Sequence, residues 1–283
     1  MIPAEHGFAT AGKVFFHNKV LPMIRAVVTG ASSGIGQAAA IALAKTYRHR
    51  NEAPVKIVVH YRNNESGAEQ TADQIRQQGG QALTLSADLN DAAACDTLLD
   101  QSWQWLSVPN TWINFAGVDV LTGGAKAWSF ERKLKQLMEV DVLATIKLNR
   151  EVANRMLAGP ESGPPPSITF VGWDQAPLGM EGEAGQMFGP VKAAVMAFAN
   201  SLAQQCAPKV RVNTVAPGWI QTSWGQTTDS YWNDRAQQQS LMNRWGKPAD
   251  VARAVCWLSD PENTFCTGQT LEVNGGWNRQ FDR

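Results

Sequence analysis

A doubly wound α/β domain built on a parallel sheet of about seven strands is the fold class the sequence predicts. Three observations carry that expectation. Strand signals alternate with helix signals from residue 25 to residue 276. The first strand runs into a glycine-rich turn that opens directly into the first helix, "VVTGASSGIGQAAA". The chain has 283 residues, 44% hydrophobic and 18% charged, enough for one large domain with a substantial core.

The elements follow in order. "RAVVTGA" (25–31) is a short β-branched run stopped by glycine, and "GQAAAIALAKTY" (36–47) is a strong helix former. "VKIVVHY" (55–61) reads as a second buried strand, and "ESGAEQTADQIRQQGG" (65–80) as an amphipathic helix closed by glycines. "QALTLSAD" (81–88), the helix "DAAACDTLLDQSWQWL" (91–106) and the strand "TWINFAG" (111–117) continue the alternation. The span 131–157 is expected to be one long helix, followed by the strand "SITFVGW" (167–173). A helix predicted to start near Pro190 carries Lys192. The strand "VRVNTVAPG" (210–218), a helix over 248–258 and the strand "GQTLEVNGG" (268–276) complete the set. Helices of this length between strands imply βαβ crossovers and a parallel sheet. Residues 1–24 are set apart as an N-terminal extension and 25–283 as a single domain. "AGPESGPPPS" (158–167) and "RHRNEAP" (48–54) are expected to be surface loops.

Composition excludes several function classes. With 25 basic and 25 acidic residues, the chain carries no electrostatic footprint for nucleic acid or an anionic membrane. No apolar run approaches the roughly 20 residues of a membrane span, and charge interrupts the N-terminal "KVFFHNKVLPM", so no signal peptide is expected. Cys95, Cys206, Cys256 and Cys266 are scattered without a CxxC pair, which argues for a reduced, cytoplasmic setting and against a metal site. The eleven tryptophans are expected to serve packing and interfaces.

The glycine-rich turn is the strongest local motif. Gly30, Gly34 and Gly36 let a backbone approach a pyrophosphate, and the helix N-terminus favours its charge. At the end of the second strand an NAD site places an acid for the ribose hydroxyls. Here stand His60, Tyr61 and Arg62, with no acid before Glu65. An arginine at that point suits a 2′-phosphate, so NADP(H) is favoured over NAD(H).

"TGASSGIG" (29–36), "ADL" (87–89), "NFAG" (114–117), "VKAAV" (191–195), "RVNTVAPGWIQT" (211–222) and "RWGKPADVARAVCWLSDP…CTGQTLEVNGG" (244–276) together resemble the short-chain dehydrogenase/reductase family, in its β-ketoacyl-carrier-protein-reductase-like branch. The match spans about 25–277, in the family's order, and leaves out the first 22 residues. The resemblance implies a single Rossmann-type domain, oxidoreductase chemistry on carbonyl and alcohol groups, a nicotinamide cofactor and a homo-oligomer, usually a tetramer. It implies that Gly30, Ser32, Ser33, Gly34, Ile35 and Gly36 cradle the pyrophosphate and that Asp88 and Leu89 flank the adenine. Asn114, Ala116 and Gly117 would line the cleft, with Pro217, Gly218, Ile220 and Thr222 on the nicotinamide side.

The resemblance also exposes a departure. In the family a tyrosine phenol protonates the carbonyl, a lysine four residues on lowers its pKa, a serine holds the carbonyl and an asparagine supports a relay water. Only the lysine is kept, as Lys192. Phe188 holds the tyrosine position, Asp141 the asparagine position, and Trp173 or Gln175 the serine position. No Ser or Thr lies between Thr169 and Lys192. Two readings stay open. One is a divergent NADP(H) oxidoreductase with relocated acid–base groups, the candidates being Asp174, Glu181, Glu183 and Tyr231. In that reading the lid segment "TSWGQTTDSYWNDRAQQQ" (222–239) packs its two tryptophans on an apolar or ring-shaped substrate. The other is a non-catalytic NADP(H)-binding sensor or structural subunit.

Overall fold

The computed structural model describes residues 23–48 and 54–279. The first 22 residues of the N-terminal extension and most of the 48–54 insertion lie outside them. Seven parallel strands form one sheet in the order β3-β2-β1-β4-β5-β6-β7. They are β1 (Arg25–Thr29), β2 (Lys56–Tyr61), β3 (Gln81–Ser86), β4 (Thr111–Asn114), β5 (Ser167–Val171), β6 (Arg211–Pro217) and β7 (Thr270–Val273). β1, β4, β5 and β6 are almost wholly buried, as parallel strands covered by helices on both faces are. Ile24, one residue before β1, is already part of the core.

Helices cover both faces. α1 (Gly34–Tyr47) and α2 (Glu65–Gln77) follow β1 and β2, and α9 (Pro248–Ser259) packs extensively against α1. α3 (Ala92–Leu106), α4 (Phe130–Leu137), α5 (Thr145–Leu157) and α6 (Gly182–Cys206) contribute to the second core around Trp112 and Phe170. The strand order reverses between β1 and β4. Thr29 pairs there with Asn114, so the carboxyl ends of both strands open on one crevice. Open α/β sheets bind ligands at such a switch point.

Three expectations need correction. The span 131–157 is not one regular helix: α4 and α5 are joined by a π-helical stretch, Met138–Ala144. The wider turn lets Asp141 reach across to Gly117 and Val118, and π stretches of this kind gather at functional sites. The helix bearing Lys192 starts at Gly182 rather than near Pro190, which sits inside it. Buried Gly185 and Met187 anchor those first two turns; a Cβ on Gly185 would lie 2.0 Å from the Met180 carbonyl oxygen. Tertiary packing thus overrides the usual first-turn preference of proline. The lid segment, read as a loop, contains α7 (Ser223–Thr227) and α8 (Ser230–Gln239), the latter capped by the Asp229 carboxylate accepting from the Trp232 N–H.

Candidate functional site

A cleft of about 650 Å³ runs along the switch point. Its floor is the turn between β1 and α1. Gly30 has φ of 65°, and a Cβ there would lie 2.6 Å from the Ala116 nitrogen. A Cβ on Gly36 would lie 2.3 Å from the Gly30 carbonyl oxygen. Gly34, at φ of 58°, has nothing within 4 Å of its missing side chain, so the space above it is open. Only glycine satisfies all three demands. The first turn of α1 carries no acidic residue, and the Ser33 side chain makes no capping hydrogen bond. Its N–H groups are therefore available for an anion.

Side chains of neighbouring elements fix the loop. Thr29 Oγ1 accepts from the N–H groups of Phe115 and Ala116, each at 3.2 Å, tying β1 to the turn after β4. Thr71 Oγ1 donates to the Ala31 carbonyl at 2.9 Å, and Asn64 Nδ2 to the Ser32 carbonyl at 3.2 Å. The Gly30 N–H donates to His60 Nδ1 at 3.2 Å, and His60 Nε2 then donates to the Ala87 carbonyl at 3.1 Å. Burial is the main cause that holds the imidazole pKa down at about 4, against smaller opposing effects of the Ala87 hydrogen bond and Asp88. Sequence reasoning registered His60 only as the absence of an acid.

At the end beside β2 and β3, Tyr61, Arg62, Asn63, Asp88 and Leu89 line the cleft. Arg62 is exposed and forms no ion pair with another described residue, so its guanidinium is available to an incoming group. At the other end stand Ala116, Gly117, Val118, Asp141, Phe188, Lys192 and Thr222. Lys192 Nζ donates to Asp141 Oδ2 at 3.1 Å, with the two side chains 15% and 4% exposed. Asp141 Oδ1 accepts from the Val118 N–H at 2.9 Å. A Cβ on Gly117 would sit 2.9 Å from Asp141 Oδ2, so this glycine makes room for the carboxylate. Phe188 lies one helical turn before Lys192 on the same cleft-facing side of α6.

Other predicted residues fall outside the cleft wall. Asn114 is buried in a reciprocal amide pair with Asn149, each Nδ2 donating to the other's Oδ1 at 2.9 Å. That pair joins β4 to α5 and was not legible beforehand. Pro217 pairs with Val273 in the sheet, Gly218 packs on Asn274 and Asp174, and Ile220 bridges to Gly246. Trp173 and Gln175 both sit in the turn after β5 and neither lines the cleft.

The relocated-acid candidates also lie off the wall. Asp174 is 1% exposed, and its Oδ2 accepts from Asn274 Nδ2 at 3.1 Å. Burial, with Glu272 adding to it, raises its carboxyl to about 6 against opposing hydrogen bonds. Glu181 is held by Arg235, whose Nη2 donates to Oε2 at 2.9 Å, and Tyr231 Oη accepts from Arg235 Nη1 at 3.3 Å. Glu183 is exposed in the first turn of α6. Trp232 packs on Trp219 and Tyr231, with Arg235 over its ring, so it grips the lid's own aromatic cluster. The four cysteines are free, and among the described residues no cluster of metal-ligating side chains occurs and no helix is long and apolar enough to cross a membrane.

A family model described as "Enoyl-(Acyl carrier protein) reductase" matches residues 30–278. A 3-oxoacyl-[acyl-carrier-protein] reductase from Synechocystis is 31% identical over 261 residues, covering 89% of this chain and 95% of the relative. The chain belongs to the short-chain dehydrogenase/reductase family. Within it, the 3-oxoacyl-reductase-like branch is the one it resembles. Glucose 1-dehydrogenase 2 of Bacillus subtilis is 30% identical over 256 residues, covering 89% of this chain and 93% of that one. Among solved structures, a double mutant of a Serratia marcescens short-chain dehydrogenase/reductase superposes with a TM-score of 0.76 at 26% identity. It covers 91% of this chain and 98% of that one.

Proposed function

We propose that this short-chain dehydrogenase/reductase binds NADP(H) and has lost efficient carbonyl reduction, acting as a dinucleotide-responsive sensor or as a structural subunit. One observation carries the reading: Phe188 occupies the cleft wall beside Lys192, whose ammonium is already held by the buried Asp141 carboxylate. A phenyl ring has no proton to give, and the lysine charge that would activate a phenol is neutralised in place. The nicotinamide, when bound, supplies or accepts a hydride. The residues of this chain then have to deliver a proton, and Asp174, Glu181, Glu183 and Tyr231 do not line the cleft. That placement weighs against the alternative of a divergent oxidoreductase using those groups. Loss of a general acid costs roughly 10²–10⁴-fold in rate.

Support for the dinucleotide comes from the glycine cradle and the open first turn of α1. Support for its phosphorylated form comes from exposed Arg62 and the absence of an acid at the end of β2. We further assign the protein a homo-oligomeric, tetrameric state and a cytoplasmic setting, with a substrate class left open.

Calorimetric titration with NADPH and NADH, paired with a hydride-transfer assay on diketones and quinones, tests this function. Tight NADPH binding without turnover is the expected result. Turnover within the ordinary range of about 1–10³ s⁻¹ would overturn it. Arg62→Ala is expected to weaken NADPH by about tenfold while leaving NADH nearly unchanged, since one charge-assisted contact is lost. An unchanged NADPH/NADH ratio would remove Arg62 from the assignment.

A further inference from the structure

We infer that His60 is the positioning residue that sets the glycine-rich loop for the dinucleotide, joining it through one imidazole to the end of the cleft beside β2 and β3. The inference rests on the proposed dinucleotide binding and deepens it. His60 is the penultimate residue of β2 and is 2% exposed. Its Nδ1 accepts from the first N–H of the loop, at Gly30, and its Nε2 donates to Ala87, the residue before Asp88. Its backbone carbonyl accepts from the Ala31 N–H at 2.9 Å, so three hydrogen bonds converge on one residue. Gly30 is the point where the chain turns at φ of 65°, and its carbonyl is the surface on which Gly36 closes. A shift at Gly30 therefore moves the first turn of α1.

The hydrogen-bond logic fixes the tautomer. A backbone N–H only donates, so Nδ1 is the acceptor and the proton is on Nε2. Burial keeps the ring in that neutral form, its pKa lying at about 4. Asp88, on the segment after β3, is the charged group that acts on it. Protonation would place a second donor against the Gly30 N–H and break the clamp.

The two bonds can be separated. In His60→Asn the amide oxygen takes the place of Nδ1 and keeps the acceptor for Gly30, while the reach to Ala87 is lost. In His60→Gln the longer side chain reaches Ala87 and leaves Gly30 without an acceptor. Each folded variant, checked by circular dichroism, is titrated with NADPH and with 2′,5′-ADP. The asparagine variant is expected to bind within about threefold of wild type. The glutamine and alanine variants are expected to weaken both ligands by about tenfold or more, the cost of an orphaned buried N–H. As pH falls towards 4, wild-type affinity should drop relative to His60→Asn, which has no titrating group there. An alanine or glutamine variant that binds as wild type, or an asparagine variant no better than glutamine, would overturn the role of His60. A wild-type protein that binds neither NADPH nor NADH would instead overturn the proposed function, and the inference with it.

Discussion

Position 188 carries a phenyl ring, one hydroxyl short of the tyrosine that the family resemblance leads one to expect there. The frame around it persists: α6 is formed, Lys192 faces the cleft and the glycine cradle is built. Phe188→Tyr alone is expected to add little activity, because Asp141 still holds the lysine and no serine awaits the carbonyl. Phe188→Tyr and Asp141→Asn, which together supply a phenol and release the lysine, are expected to give measurable NADPH-dependent reduction of a diketone when combined with Trp173→Ser or with Gln175→Ser. Both serine variants are needed because the two residues occupy the same turn after β5. If both bind NADPH yet stay inert while wild type reduces the same substrates, the native chemistry runs elsewhere. Asp174 offers a second test at this scale. Its folded pKa of about 6 lies above the ordinary carboxyl value of 3.8, so the folded state binds that proton more tightly than the unfolded chain. The charged form therefore costs stability above pH 6, and the cost vanishes below about pH 4. Asp174→Asn is expected to raise stability by on the order of 2 kcal/mol at pH 7, with the gain fading as pH falls through 6 to 4. His60 works with the opposite sign. Its depressed pKa means that the unfolded state binds protons first, so stability is lost as pH falls from 6.5 to about 4. Thermal unfolding of wild type and both single variants between pH 4 and 8 separates the two contributions.

At the scale of elements, the lid is held by a specific latch. Glu181, at the N-cap of α6, receives both Nη atoms of Arg235 on α8, and Arg235 also lies over Trp219 and Trp232. Arg235 is 14% exposed while Glu181 is 65% exposed, so the latch has one sheltered partner and one wet one. Such a pair is worth up to about 1 kcal/mol, which corresponds to roughly fivefold in an opening equilibrium. Glu181→Gln is expected to speed hydrogen exchange across α8 about that much, and salt should do the same to wild type. Unchanged exchange would show that the aromatic cluster alone holds the lid. The elements also show where sequence reading stopped. Strands β1, β4, β5 and β6 were legible because short β-branched and aromatic runs stand between helical segments, and the glycine turn because three conformational and spacing demands meet in one motif. The π stretch at Met138–Ala144 was not, because apolar periodicity does not register one wider turn. The start of α6 was missed because Gly182, Gly185 and Gly189 argue locally against helix while packing on Met180 argues for it. The Asp141–Lys192 pair lies 51 positions apart, so only the fold brings the two side chains together.

For the whole molecule, the sheet order leaves β7 at an edge, with no strand on its outer side among the described residues. Exposed edges invite another strand or must be covered. Near the same side of the sequence, Phe265 is 103% exposed and Trp257, on α9, 51% exposed. Leu143 in the π stretch is 51% exposed and Met138 is 37% exposed. Single exposed apolar side chains are ordinary; Phe265 with Trp257, and Leu143 with Met138, are the candidates tested below for two separate contacts. Two distinct twofold contacts close into a tetramer of dihedral symmetry. Light scattering at micromolar concentration is accordingly expected to give a tetramer. Phe265→Asp combined with Trp257→Lys should leave dimers joined through the helical face, since charge buried at one contact does not touch the other. Leu143→Glu should leave dimers of the other kind, and the triple variant monomers. A monomeric wild type, or a tetramer indifferent to all three changes, would refute the assignment. Dimers from one set of changes and intact tetramers from the other would show that only one face is an interface.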